Sequence, residues 1–183
     1  MHGDSDPLAE WPAGMLIRVT SHPPSLLELL WLRHHAVQNA APALPSADLP
    51  EVEPSIESQE VCDRWTSAWG VALEYVRVTQ QVDPVALHER RHLWEVPRAT
   101  KLAEELGVSL DEAVPWRQSL DSSEDGELHV VPALRSAWER GLAVVIELPL
   151  KGDYFNRISP DTLVVSSRTR ANPSAYATAL GSV

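Results

Sequence analysis

The residues with the clearest chemical potential are His88-Glu89-Arg90-Arg91-His92, which match the pattern H-E-x-x-H on a predicted helix. Two histidines four residues apart on a helix share one face and can bind one zinc ion. The glutamate beside the first histidine then acts as general base on metal-bound water. On this interpretation His88 and His92 are zinc ligands, and Glu89 is the catalytic base of a zinc-dependent hydrolase.

A second interpretation needs no metal. The two middle positions of the motif are arginines, which place positive charge close to the proposed dication. Glu95 lies on the same helix face one turn further on, and Glu104 and Glu105 lie beyond Pro97, so no third ligand is assigned. A surface cluster of histidine and glutamate paired with the arginines accounts for the same residues.

Arg168 and Arg170 flank Thr169 just after a predicted strand that ends at Ser167. Open α/β sheets bind ligands at the carboxyl ends of their strands, and a pair of guanidinium groups there can hold a carboxylate or a phosphate. The sequence therefore offers Arg168 and Arg170 as an anion-binding pair. The alternative is a surface pair matched to the many acidic residues of the chain.

A third stretch, Lys101 to Val114 (KLAEELGVSLDEAV), resembles the helix-turn-helix of bacterial repressors over about fourteen residues. In that family the second helix reads base edges with basic or amide side chains. Here the second helix offers Asp111 and Glu112, and Pro115 interrupts it. The departure favours a plain helical hairpin in which Gly107 ends the first helix, and we expect no nucleic-acid partner.

The net charge of −11, from 26 acids and 15 bases, also disfavours phosphate-rich partners and anionic membranes. The single cysteine excludes an intrachain disulfide. Residues 1–14 lack a basic signal-peptide start, and no apolar run approaches the ~18 residues of a membrane span. Arginine makes up 13 of the 15 bases, a composition typical of a bacterial gene of high GC content. We therefore expect a bacterial cytoplasmic protein.

The elements that position these residues are organised around a helix over residues 55–81. Its apolar residues recur every three or four positions, which is the period of an amphipathic helix, and two of them are Trp65 and Trp69. A second helix, Leu26 to about Val37, is apolar almost all round, so it is either deeply buried or covered by a partner subunit. Strands are predicted over residues 15–20, 142–148 and 162–167. The middle strand is almost purely aliphatic and is expected to be central.

These patterns predict an α+β or α/β fold of about three strands and six or seven helices. Residues 1–14 form a disordered tail, and residues 15–183 form a single globular domain. An acidic, proline-rich connector at residues 39–54 serves either as a solvated linker or as a docking surface for something basic.

The leading functional interpretation is a non-enzymatic interaction protein that needs no cofactor. It presents an acidic surface to a protein partner or to its own copy. The alternative is the zinc-dependent hydrolase of the H-E-x-x-H helix.

Overall fold

A computed structural model of the chain describes residues 11–37, 40–49, 58–81, 99–121 and 126–182. In these ranges it contains seven helices and one four-stranded sheet. The helices are α1 (Pro24–Ala36), α2 (Gln59–Gln81), α3 (Ala99–Leu106), α4 (Ala113–Gln118), α5 (Val131–Glu139), α6 (Ser167–Ala171) and α7 (Pro173–Gly181), and the strands are β1 (Arg18–Ser21), β2 (Val144–Leu148), β3 (Phe155–Ser159) and β4 (Thr162–Ser166). The expected combination of helices and strands is confirmed, but the sheet has four strands rather than about three.

The sheet is mixed, with the strand order β1-β2-β4-β3. β1, β2 and β4 run parallel, and β3 pairs antiparallel with β4. Every residue of β2 and β4 is buried, as expected for inner strands made of aliphatic residues. The predicted central position of β2 is therefore confirmed.

β3 is the strand that the sequence pattern missed. Its residues Phe155–Ser159 are exposed or half-buried because β3 lies at the outer edge of the sheet, so they show no alternation of apolar and polar residues. β1 begins three residues later than predicted, since Met15 belongs to a turn in which its N–H donates to the Pro12 carbonyl. The described part of the expected tail, residues 11–14, forms this turn, and the Trp11 indole donates to the Met15 carbonyl.

The described residues divide into two compact units. The first, which we call the sheet unit, takes its residues from Met1–Ser21, Ser122–Leu148 and Gly152–Val183. The second, the helical unit, takes its residues from His22–Asp121 and Pro149–Lys151. The prediction of a single domain is not confirmed by this division and stays a prediction.

One face of the sheet, packed with residues of α5 and α7, forms the core of the sheet unit. The cluster comprises Met15, Val130, Leu134, Ala137, Leu142, Val145, Leu163, Val165, Tyr176, Ala179 and Leu180, all of them buried. Both helices begin with a proline in their first turn, where the missing N–H needs no partner. The Asn172 side chain caps α7 by accepting from the N–H groups of Ser174 and Ala175.

The core of the helical unit is built on α1 and α2. The apolar residues of α1 are buried within the chain. Of the two expected environments, deep burial or cover by a partner subunit, the structure has deep burial. α2 buries the predicted stripe of Val61, Trp65, Trp69, Ala72 and Val76. The rings of Trp65 and Trp69 stack with centroids 5.2 Å apart, and the Trp65 indole N–H donates to the Leu29 carbonyl of α1 at 2.7 Å.

The described part of the predicted connector, residues 40–49, belongs to the helical unit and is anchored in it at several positions. Leu44, Ala47 and Leu49 are buried, and the Arg33 guanidinium of α1 donates to the carbonyls of Leu44 and Pro45. Of these ten residues four are buried and five are exposed, so both interpretations of the connector stay predictions. The acidic residues at positions 51, 53 and 57 lie outside the described ranges.

The two helices predicted on either side of Gly107 are present, but the second begins later than predicted. Gly107 has a φ of +66°, and the Val108 N–H donates to the Ala103 carbonyl, so α3 ends as the glycine predicts. α4 begins at Ala113 rather than near Ser109, and it contains Pro115. Proline is tolerated there because the N–H groups in the first turn of a helix have no acceptor within the helix, so a residue without an N–H loses no hydrogen bond. None of the helices in the described ranges is both long and apolar enough to cross a bilayer.

Candidate functional site

The H-E-x-x-H residues His88, Glu89 and His92 lie outside the described ranges, so the zinc site stays a prediction. Among the residues that are described, no three His, Cys, Asp or Glu side chains are grouped to hold a metal ion. His34 and His35 stand in the last turn of α1, where cationic side chains suit the helix dipole. The His35 ring packs against Trp31, with centroids 4.2 Å apart.

The most highly organised polar group in the described structure surrounds Arg170, and we call it the Arg170 cluster. Its other members are Ser21, Glu127, Glu147 and Tyr176. In the register of the parallel strands β1 and β2, Ser21 pairs with Glu147 near the carboxyl ends of both strands. Arg170 follows β4 on α6, whose first turn is capped by the Ser166 side chain accepting from the Thr169 N–H. The carboxyl ends of β1, β2 and β4 therefore bring Ser21, Glu147 and Arg170 to the same side of the sheet.

Arg170 is held by two carboxylates. Its Nε and Nη2 donate to the two oxygens of Glu127 at 2.8 and 2.6 Å, and its Nη1 donates to Oε2 of Glu147 at 2.6 Å. The Arg170 side chain is 5% exposed, the Glu127 side chain 19% and the Glu147 side chain 0%. Such a bidentate, charge-assisted arrangement fixes the position of the guanidinium in both distance and direction.

Two neutral hydroxyl groups complete the cluster. Ser21 Oγ donates to Oε2 of Glu147 at 2.7 Å, and the Tyr176 hydroxyl donates to Oε1 of Glu127 at 3.1 Å. Burial raises the pKa of Tyr176, and the negative charge of Glu127 raises it further, so the phenol stays protonated. Tyr176 is therefore a hydrogen-bond donor here and not a base.

The charges of the cluster stabilise the ionised guanidinium. Burial alone lowers the pKa of Arg170, but the hydrogen bonds and charges of Glu127 and Glu147 outweigh burial and raise that pKa above its ordinary value. Gly126, next to Glu127, allows the close approach, because a Cβ there would lie 3.1 Å from the Arg170 carbonyl oxygen and 3.3 Å from its Cγ. The loop and the guanidinium are thus fitted to each other.

The two arginines proposed as an anion-binding pair occupy different environments. Arg170 already binds two carboxylates of the protein, whereas the Arg168 side chain is 72% exposed and lies 3.4 Å from the Asp153 carboxylate. The structure does not bring the two guanidinium groups to one open site. Anion binding therefore stays a prediction, and Arg168 is the member of the pair that solvent can reach.

Sequence reasoning overlooked the carboxylates of the cluster. Glu147 was visible as the one charged residue inside the aliphatic run 142–148, and a charge in a buried strand requires a partner. Nothing local identifies that partner as Arg170, which lies 23 residues further along the chain.

The second feature with functional potential is the distribution of surface charge. The described part of the helical unit exposes nine acids, namely Asp48, Glu60, Asp63, Glu74, Glu104, Glu105, Asp111, Glu112 and Asp121, against three exposed bases, Arg64, Lys101 and Lys151. The described part of the sheet unit exposes two acids, Glu139 and Asp153, and three bases, Arg135, Arg140 and Arg168. Negative charge is therefore concentrated on the helical unit.

Four of these acids lie at or beside two positions, one on α2 and one on α3, that an ion pair joins. The Arg64 guanidinium of α2 forms an ion pair with the Glu105 carboxylate of α3. Glu60 lies one turn before Arg64 on α2, Asp63 precedes Arg64 directly, and Glu104 precedes Glu105. We call Glu60, Asp63, Glu104 and Glu105 the acidic patch, in which the Arg64 guanidinium pairs with Glu105.

The chain matches no known protein family, no curated protein and no solved structure.

Proposed function

We propose that the protein is a non-enzymatic interaction module that presents the acidic surface of its helical unit to a basic surface of a protein partner. The observation that carries the proposal is the excess of nine exposed acids over three exposed bases in the described part of that unit. Complementary potentials accelerate encounter and select partners, whereas an even mixture of charges gives neither effect. Solubility alone does not require the acids to be concentrated on one unit.

The apolar helix α1 does not contribute to this proposal. Its leucines are buried inside the helical unit, and its Glu28 pairs with Arg117 at 3.1 Å. No partner is needed to cover it. The proposal therefore rests on charge, and it places the acidic patch at the centre of the contact because α2 and α3 are joined there.

The test is charge reversal at the acidic patch. We expect Asp63→Lys combined with Glu104→Lys to weaken retention of the partner by at least about tenfold, which corresponds to roughly 1.4 kcal/mol. Both side chains are exposed, so the fold should tolerate the change. The measurement is a pull-down at low and physiological salt with wild-type and reversed chains as paired baits, followed by titration of any protein that the wild type alone retains.

The matched control is Glu139→Lys, which reverses an exposed acid of the sheet unit. It should retain the partner as the wild type does. If the reversed and wild-type baits retain the same proteins at every salt concentration, the acidic patch is not an interaction surface.

A second candidate function rests on one specific observation, the literal H-E-x-x-H at residues 88–92. In a zinc-dependent hydrolase, His88 and His92 bind the metal, and Glu89 acts as general base on the metal-bound water. We expect elemental analysis of untagged protein to find about one zinc per chain and His88→Ala to lose it, as the motif requires. Glu89→Gln should retain the zinc and lose hydrolysis. If the chain takes up no zinc when zinc is added at neutral pH, this candidate is excluded.

A further inference from the structure

Within the described ranges of the chain, β3 is the outermost strand on one side of the sheet. In the order β1-β2-β4-β3 its one neighbour among the described strands is β4. The Tyr154 carbonyl accepts from Ser166, and the Tyr154 N–H donates to Ser166 Oγ and Thr169 Oγ1, so the backbone groups of Tyr154 face β4. Because these directions alternate along a strand, the N–H and C=O groups of Phe155 and Arg157 face away from β4. An edge of this kind is a template for another strand.

The same edge carries exposed apolar surface. Phe155 is 41% exposed and is one of the few large apolar side chains that the described structure leaves accessible. It lies opposite Val165 in the β3–β4 register, so both side chains are on the sheet face that carries the core of the sheet unit. The apolar layer of that face therefore extends to the edge and ends at Phe155.

We propose that the β3 edge pairs antiparallel with the β3 edge of a second copy, with Phe155 opposite Phe155 of the partner subunit. In this register residue 153 of one copy lies opposite residue 157 of the other. The two-fold axis thus sets Asp153 against Arg157 twice, with opposite charges in each pair. The outward N–H and C=O groups of Phe155 form the hydrogen-bonded pair at the axis.

Charge complementarity is what favours a second copy as the occupant. Asp153, in the bend just before β3, and Phe155 and Arg157 of β3 read acid, aromatic, base. This order is complementary to itself when one copy is reversed. Asp153 reaches Arg168 only at 3.4 Å through two largely exposed side chains, so it can exchange that contact at little cost. Arg157 donates to the carbonyls of Ser159 and Pro160, and it must exchange at least one of these hydrogen bonds for the new pair. The irregularity between Arg157 and Ser159 limits the pairing to the first half of the strand.

This inference concerns a different surface from the acidic patch and does not depend on the proposed function. Its test uses the full chain in sedimentation velocity over a wide concentration range. We expect reversible dimers for the wild type and at least about tenfold weaker association for Asp153→Arg and for Arg157→Asp, because each variant opposes like charges twice. An equimolar mixture of the two variants restores both opposite-charge pairs and should associate about as strongly as the wild type.

The mixture separates loss of pairing from loss of folding, since misfolded chains do not rescue each other. Arg135→Asp changes an exposed arginine of α5 in the same way and should dimerise as the wild type does. Two results overturn the proposal: a wild type that stays monomeric throughout the concentration range, or a mixture that associates no better than its components. If the wild type stays monomeric, we infer that the charge of Arg157 prevents the β3 edge from pairing with another strand.

Discussion

Replacement of Arg170 by methionine is expected to lower the free energy of unfolding by about 3 to 5 kcal/mol. The substitution keeps an unbranched side chain of similar length but removes the cation that two carboxylates share. Glu147 is 0% exposed, so its charge would stay in the interior without the guanidinium that balances it. The measurement is urea unfolding at neutral pH, monitored by circular dichroism.

The chain provides a matched control two residues away. Arg168→Met makes the same chemical change at a side chain that is 72% exposed, and it should cost less than about 1 kcal/mol. Combining Arg170→Met with Glu147→Gln should recover part of the loss, because the second change removes the uncompensated charge. If Arg170→Met and Arg168→Met prove equally mild, the Arg170 cluster does not stabilise the sheet unit.

Replacement of Trp65 by alanine is the second change with a large expected effect, about 3 to 5 kcal/mol. Trp65 is 0% exposed, and its ring stacks on Trp69 at an interplanar angle of 13°. Truncation opens a cavity between α1 and α2 and removes the hydrogen bond to the Leu29 carbonyl. Guanidinium unfolding monitored by far-ultraviolet circular dichroism measures the loss without relying on tryptophan emission.

Two further variants divide the Trp65 effect into its parts. Trp65→Phe keeps an aromatic ring but loses the N–H donor, and it should fall between the wild type and the alanine variant. Trp116→Ala removes a half-buried indole of the same unit whose N–H donates to the Asp48 carbonyl at 3.2 Å, and it should cost clearly less than Trp65→Ala. If Trp65→Ala and Trp116→Ala lower the free energy of unfolding equally, burial between α1 and α2 is not the main source of the stability that Trp65 contributes.

The periodicity of the sequence predicted the inner elements well. The stripe on α2 and the aliphatic run of β2 occupy the places expected, because their residues must be buried and burial leaves a regular pattern. β3 escaped prediction for the opposite reason. An edge strand is exposed along much of its length, so Phe155–Ser159 carries no such pattern.

The Arg170 cluster was predictable only in part. A glutamate within an aliphatic strand indicates a buried charge, but the partner of that charge depends on which loop and which helix the fold brings to the same strand end. Arg170 itself was singled out from the sequence for its place after β4, and its contact with Glu147 follows from the pairing of β2 with β4, which brings the start of α6 to the end of β2. Tertiary contacts of this kind leave no local pattern in a single sequence.

The pairing of β1 with β2 determines the order in which the chain can fold during synthesis. Arg18 pairs with Val144, and the helical unit accounts for most of the residues between them. At ribosomal rates of ~5 to 20 residues per second, β1 waits roughly 6 to 25 seconds for its neighbour. The described helices of residues 22–121 can collapse first, so the sheet unit should be the last part to become resistant to protease on a translating ribosome.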